Sequence, residues 1–137
     1  MIVIDTSIWI ALYRDRSGRA RGVLADAVGT EPVSFSPFVI TEVLQGARND
    51  DEWRALSAQI DRLPRLDISP SAWSAAAKIF YDIERGGHTL RGTIDCLIAQ
   101  NCLDHDCTLL HNDRDFEIIA GIRPLKHRPL NLSLGPT

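Results

Sequence analysis

An α/β fold with a parallel sheet and helices on both faces is predicted by two patterns in the chain. Short, wholly apolar runs rich in β-branched residues alternate with longer amphipathic segments. Cap residues or prolines stand where most of the longer segments begin. Sheets of this kind bind ligands at the carboxyl ends of their strands.

The opening Ile2-Val3-Ile4 suits a buried parallel strand because every side chain is apolar. Asp5-Thr6-Ser7 then offers N-cap chemistry for a helix through Tyr13. Arg19 to Val28 predicts a second helix, closed by Gly29, and Val33-Ser34-Phe35 a second strand. Ser36-Pro37 starts a helix running to about Arg48. Asp50-Asp51-Glu52 places negative charge on the first turn of another, through Ile60.

Leu66-Asp67-Ile68 predicts a third strand, and Ser69-Pro70 the start of a helix ended by Gly86-Gly87. Trp73, Ala76, Ala77, Phe80 and Ile83 recur in it at helical spacing. A further helix is expected from Thr93 to about Asp104, a strand from Cys107 to Leu110, and a short helix from Arg114 to Ala120 stopped by Gly121. After Arg123 a last short strand is expected, with a loose tail from about residue 126 that contains Pro129 and Pro136.

The 137 residues predict one domain, 1–137, long enough for a hydrophobic core. A net charge of −3 gives no global nucleic-acid signature, although local basic patches can still hold phosphates. Three cysteines, Cys96, Cys102 and Cys107, do not suggest a disulfide framework. No run approaches the roughly 20 apolar residues of a membrane span. The opening does not read as a signal peptide, so a cytoplasmic location is expected.

Four acids fall where such a topology would gather them: Asp5 after the first strand, Glu42 and Asp95 within helices, and Asp113 after Thr108-Leu109-Leu110. Two bare charges about 4 Å apart repel by roughly 4 kcal/mol at an effective dielectric near 20. A converging set therefore needs protons or a hard cation such as Mg²⁺, which prefers oxygen ligands. Taken singly, each acid has a structural explanation. Asp5 can cap a helix, Glu42 lies off the face formed by Val39, Ile40, Val43, Leu44 and Ala47, Asp95 favours its helix N-terminus, and Asp113 and Asp115 can cap the helix that follows.

Other chemistries are less well supported. Cys102, His105, Cys107 and His111 offer zinc-ligand types, but their spacing matches no standard finger. No G-x-S-x-G elbow, P-loop or G-x-G-x-x-G occurs. A phosphatase using Asp5 as nucleophile would want an aspartate where Ser7 stands.

Ile4-Asp5-Thr6-Ser7, Thr41-Glu42-Val43, Gly92-Thr93-Ile94-Asp95-Cys96-Leu97-Ile98-Ala99 and Asn112-Asp113-Arg114-Asp115-Phe116, in that order, resemble the PIN-domain nucleases, and within them the VapC-type toxins of bacterial toxin–antitoxin pairs. The resemblance covers nearly the whole chain, and its specificity lies in the ordered set. It implies a three-layer α/β/α sandwich with a mainly parallel sheet, and a Mg²⁺- or Mn²⁺-dependent endoribonuclease. It implies an acidic pocket of Asp5, Glu42, Asp95 and Asp113, with Asp115 as an accessory acid. The family often has threonine where His111 stands.

On this reading Asp5 and Asp95 are the main direct ligands, while Glu42 and Asp113 bind through water or complete a second site. Thr6, Ser7 or Thr93 would hydrogen-bond a carboxylate or a phosphate. Arg91, and less specifically Arg14, Arg16, Arg19, Arg21 and Arg85, would contact RNA phosphates. The resemblance further implies a VapB-like antitoxin, received in a groove lined by Trp9, Trp53, Leu56 or Ile60, and a homodimer. A housekeeping RNA-processing PIN nuclease and a non-catalytic PIN-like binding module are the alternatives.

Overall fold

The structure is a computed structural model and describes residues 1–132. Four strands among the described residues form one sheet: β1 (Ile2–Ile4), β2 (Val33–Ser34), β3 (Thr108–His111) and β4 (Lys126–Pro129), in the order β2-β1-β3-β4. Every pairing is parallel, with Ile2 beside both Val33 and Thr108, and Leu109 beside His127.

Successive side chains of a strand point to opposite faces. Val3 and Leu109 accordingly enter the larger core with Val39, Val43, Ile79 and Ile98. Ile2, Ile4 and Leu110 enter the smaller one with Ile8 and Leu24. Both faces of the central strands β1 and β3 are therefore buried, which is why β1 is apolar at every position rather than alternating.

The helices are α1 (Thr6–Arg14), α2 (Arg19–Val28), α3 (Pro37–Gln45), α4 (Asp50–Asp61), α5 (Ala72–Arg85), α6 (Ile94–His105) and α7 (Arg114–Ala120). Asp5, Asn49 and Asp113 cap α1, α4 and α7, each accepting a backbone N–H through its side chain. Gly29 has φ of 61° just after α2, a left-handed value that glycine adopts without strain.

Three expectations are corrected. Leu66-Asp67-Ile68 is not a strand. Leu66 N donates to Phe35 O, giving a single bridge between Phe35 and Arg65. The segment's second carbonyl, Asp67 O, is taken instead by Asn101 Nδ2 at 3.1 Å and His105 Nε2 at 2.8 Å. The apolar stripe of α5 is Ala72, Ala76, Ile79 and Ile83, a rotation that leaves Trp73 57% exposed and edge-on to Phe38. The helix begun at Ser36-Pro37 stops at Gln45, short of Arg48.

The strand expected after Arg123 is β4, so residues 126–129 are paired in the sheet. The rest of the tail, including Pro136, lies outside the described residues from residue 133 onward. Among the described residues no helix is long and apolar enough to cross a membrane.

Candidate active site

The sheet has its switch point at β1, which pairs with β2 on one side and β3 on the other. A crevice forms beyond the strand ends at such a point. Asp5 and Asp113 follow β1 and β3 there. Asp5 N continues the ladder by donating to Leu110 O at 2.9 Å.

Asp5 is 3% exposed. Its Oδ2 accepts from Ser7 N at 3.0 Å and from Ser7 Oγ at 2.7 Å. Ser7 Oγ also accepts from Asn112 N at 3.0 Å, which ties the start of α1 to the loop after β3. Asp5 Oδ1 is buried and has no hydrogen-bond partner among the described residues. Burial raises the Asp5 pKa from its ordinary value, the Ser7 bonds oppose the rise, and Asp113 adds repulsion.

Glu42 reaches the same place from the middle of α3. Off the main apolar face, it is half-buried rather than solvated, because Thr6 Oγ1 donates to its Oε1 at 2.9 Å. Burial raises its pKa, Thr6 lowers it, and Asp5 and Asp113 raise it again. Asp95, on the first turn of α6, is pushed up to about 8, first by burial and then by Asp113, Asp5, Glu42 and Asp115.

Asp113 Oδ1 accepts from Asp115 N at 2.9 Å, and Arg91 Nη2 lies 3.6 Å from it. Asp115 is buried, with Oδ2 accepting from Arg91 N at 3.1 Å. Oxygens of Asp5, Glu42 and Asp95 lie within 4.8 Å of one another, as do oxygens of Asp95, Asp113 and Asp115. Asp95 belongs to both groups. The hollow beside them has a volume of about 220 Å³ and is lined by Glu42, Arg91, Gly92, Ile94, Asp95 and Asp113.

The donors are all carboxylate oxygens, a set suited to a hard divalent ion. Their condition without one also fits. Repulsion and burial raise the pKa at three of the acids, and a buried oxygen of Asp5 has no donor. A cation at that position would relieve both.

All five predicted acids are thus brought together. Thr6 and Ser7 hold carboxylates, whereas Thr93 is exposed and makes no side-chain cap bond. Among the basic residues named from the sequence, Arg91 lines the hollow; Arg14, Arg16, Arg19, Arg21 and Arg85 are exposed elsewhere. The predicted antitoxin groove is not open as drawn. Leu56 and Ile60 are core residues, Trp9 stacks on Phe35 at 5.0 Å, and Trp53 alone of the four is exposed.

Cys102, His105, Cys107 and His111 are not gathered as a metal-suited group among the described residues. The cysteines are free and buried, and burial raises the pKa of both Cys102 and Cys107, so they remain thiols. Sequence reasoning missed one contact. His111 Nε2 lies 3.0 Å from His127 Nδ1. The signal was the register: His127 sits beside Leu109, diagonally one pleat from His111.

A family model described as PIN domain matches residues 2–122. VapC ribonuclease Mb1587 of Mycobacterium bovis is 32% identical over 129 residues, 92% of this chain and 96% of that protein. Among solved structures, VapBC2 from Rickettsia felis bound to a promoter DNA fragment matches with a TM-score of 0.76 at 20% identity, covering 96% of this chain and 100% of that one. VapBC-1 from nontypeable Haemophilus influenzae also matches with a TM-score of 0.76, at 23% identity, covering 94% and 98%.

Proposed function

The chain belongs to the PIN-domain family, and from that premise we propose that it is a Mg²⁺- or Mn²⁺-dependent endoribonuclease acting as the toxin of a toxin–antitoxin pair. The observation that carries the proposal is the gathering of five acids into two groups of ligand oxygens that share Asp95, beside a small hollow lined by Glu42, Asp95 and Asp113. The 32% identity to a protein named as a VapC ribonuclease, over nearly all of both chains, supports RNA as the substrate.

Asp5 and Asp95 are the direct ligands in this reading, with Glu42, Asp113 and Asp115 completing the coordination directly or through water. A bound divalent ion supplies an activated water and charge neutralisation at the phosphodiester. The chain's own residues do the positioning. Ser7 holds Asp5 Oδ2 and leaves Oδ1 for a ligand. Thr6 fixes Glu42, and Asp115 N fixes the Asp113 carboxylate. Arg91 is 80% exposed at the rim, placed to take a phosphate oxygen of the incoming strand.

A VapB-like antitoxin and a homodimer complete the proposal. The solved relatives named VapBC support the first. An apolar hollow of about 400 Å³, lined among others by Trp9, Leu12, Leu24, Val28 and Leu63, offers anchorage that the predicted groove does not. No membrane partner is proposed.

The test is RNA-end sequencing after exposure to the wild type or Asp95→Asn, with Mg²⁺, with Mn²⁺ and with chelator. Metal-dependent cleavage leaving 5′-phosphate and 3′-hydroxyl ends is expected from the wild type alone. Full metal-dependent cleavage by Asp5→Ala or Asp95→Ala would refute the ligand assignment.

A further inference from the structure

The histidine pair beneath Asp113 takes no part in the steps above. His111 is fully buried at the end of β3. Its Nδ1 accepts the backbone N–H of Asp113 at 3.2 Å, and its Nε2 faces His127 Nδ1 at 3.0 Å. A nitrogen that accepts an N–H carries no proton of its own. In the neutral ring the proton is then on Nε2, and it is donated to His127.

The polarity of the chain is therefore set at every link. Asp113 N–H donates to His111, and His111 donates to His127. Packing holds the buried ring in place: Phe116 lies 5.1 Å from it, centroid to centroid, and the His127 ring meets it edge to edge, with centroids 5.2 Å apart and planes 26° from parallel. Asp113, at the far end of this chain, directs Oδ1 toward Asp115 N and shares its ligand group with Asp95.

We propose that His127, on the edge strand β4, is a positioning residue. By accepting the proton of His111 Nε2 it selects the tautomer of His111 that can receive the Asp113 amide, and so fixes the Asp113 carboxylate against Asp95 and Asp115. The inference rests on the reading of Asp113 as a ligand and extends the site to a strand outside the acidic cluster. A buried Nε2–H deprived of its acceptor is costly, and the ring can relieve this by moving the proton to Nδ1, which abolishes the Asp113 bond. Residues that orient metal ligands in this indirect way change metal affinity by about 10–100-fold when replaced.

The experiment compares His127→Asn, whose Oδ1 stands near the original Nδ1, with His127→Leu, which has similar bulk and no acceptor. Imidazole ¹⁵N correlations report the His111 tautomer, the Asp113 amide resonance reports the backbone bond, and calorimetry gives Mn²⁺ affinity. The wild type and His127→Asn are expected to hold His111 as the Nε2–H tautomer. His127→Leu is expected to lose it, to shift the Asp113 amide and to bind Mn²⁺ about tenfold more weakly.

If His127→Leu does not fold, His127→Ala measured with and without added imidazole carries the same comparison. An unchanged tautomer and amide in His127→Leu, or a loss in His127→Asn as large as in His127→Leu, overturns the proposal. Undiminished Mn²⁺ binding by Asp113→Asn overturns the ligand reading beneath it, and it is measured independently of the tautomer.

Discussion

Thr6 donates its hydroxyl proton to Glu42 Oε1 over 2.9 Å, joining the first turn of α1 to the middle of α3. Without that bond Glu42 would be a half-buried carboxylate among other carboxylates with fewer donors to hold it. Thr6→Val keeps the shape and removes the donor, whereas Thr6→Ser keeps it. Cleavage rate and Mn²⁺ affinity are expected to fall about tenfold in Thr6→Val and to stay near wild type in Thr6→Ser. Equal behaviour of the two variants would show that the bond has no functional role.

The crowding of charge at Asp95 makes a prediction about stability. Its pKa rises from 3.8 to about 8 on folding. Between those values the folded, metal-free protein keeps a proton that the unfolded chain has released. Stability contributed by this group therefore falls as pH rises through that window. Asp95→Asn removes the repelling charge. At pH 8 without metal it should melt above the wild type, by about 3–5 °C for each kcal/mol of repulsion removed. The gap should close toward pH 4. Added Mn²⁺ should raise the wild-type midpoint and leave the variant's unchanged. A variant that melts lower than the wild type at pH 8 would contradict the account.

Arg91 offers a test at the rim, where its backbone N–H serves Asp115 and its guanidinium, 80% exposed, lies 3.6 Å from Asp113 Oδ1. Arg91→Glu leaves the first contact in place. Fluorescence anisotropy with a non-cleavable RNA is expected to show weaker binding at low salt and a salt slope smaller by about 1. An unaltered slope would remove Arg91 from the interface.

Asn101 tests the segment that failed to become a strand. It is fully buried, donates to Asp67 O at 3.1 Å, and its own Oδ1 has no partner among the described residues. Asp67 O keeps a second donor in His105. Asn101→Leu should therefore cost less than about 1 kcal/mol, since it also removes an unsatisfied acceptor. Asn101→Ala leaves a void and should cost about 1–3 kcal/mol by denaturant titration.

Much of this molecule could be read from local chemistry. β1 and the Asp5 cap declared themselves through an unbroken β-branched run followed by Asp-Thr-Ser. Asp113 did so as the cap after an apolar strand. Leu66-Asp67-Ile68 misled because its pattern is that of a strand, while its second carbonyl is claimed by side chains of α6, residues distant in sequence. Trp73 misled because it shares helical spacing with Ala76, Ala77, Phe80 and Ile83, yet the buried face of α5 is Ala72, Ala76, Ile79 and Ile83. Glu42 joined the expected acidic set through topology and resemblance, not through its own helix. Its own helix argued for solvent, and the partner that draws it inward lies in another helix. The His111–His127 bond depends on the register of two consecutive parallel strands joined through α7, which periodicity alone does not supply.

The order β2-β1-β3-β4 has a consequence for synthesis. Of these four strands the first to be made is an interior one, and its neighbour β3 is made about a hundred residues later. Closing a loop of roughly 100 residues costs on the order of 4 kcal/mol in chain entropy, recovered only when both segments are present. Nascent or truncated chains thus carry Asp5 and Glu42 without the partners that would assemble the hollow. On the proposed function, translation of such a toxin must pass Asp113 before the product can attack RNA.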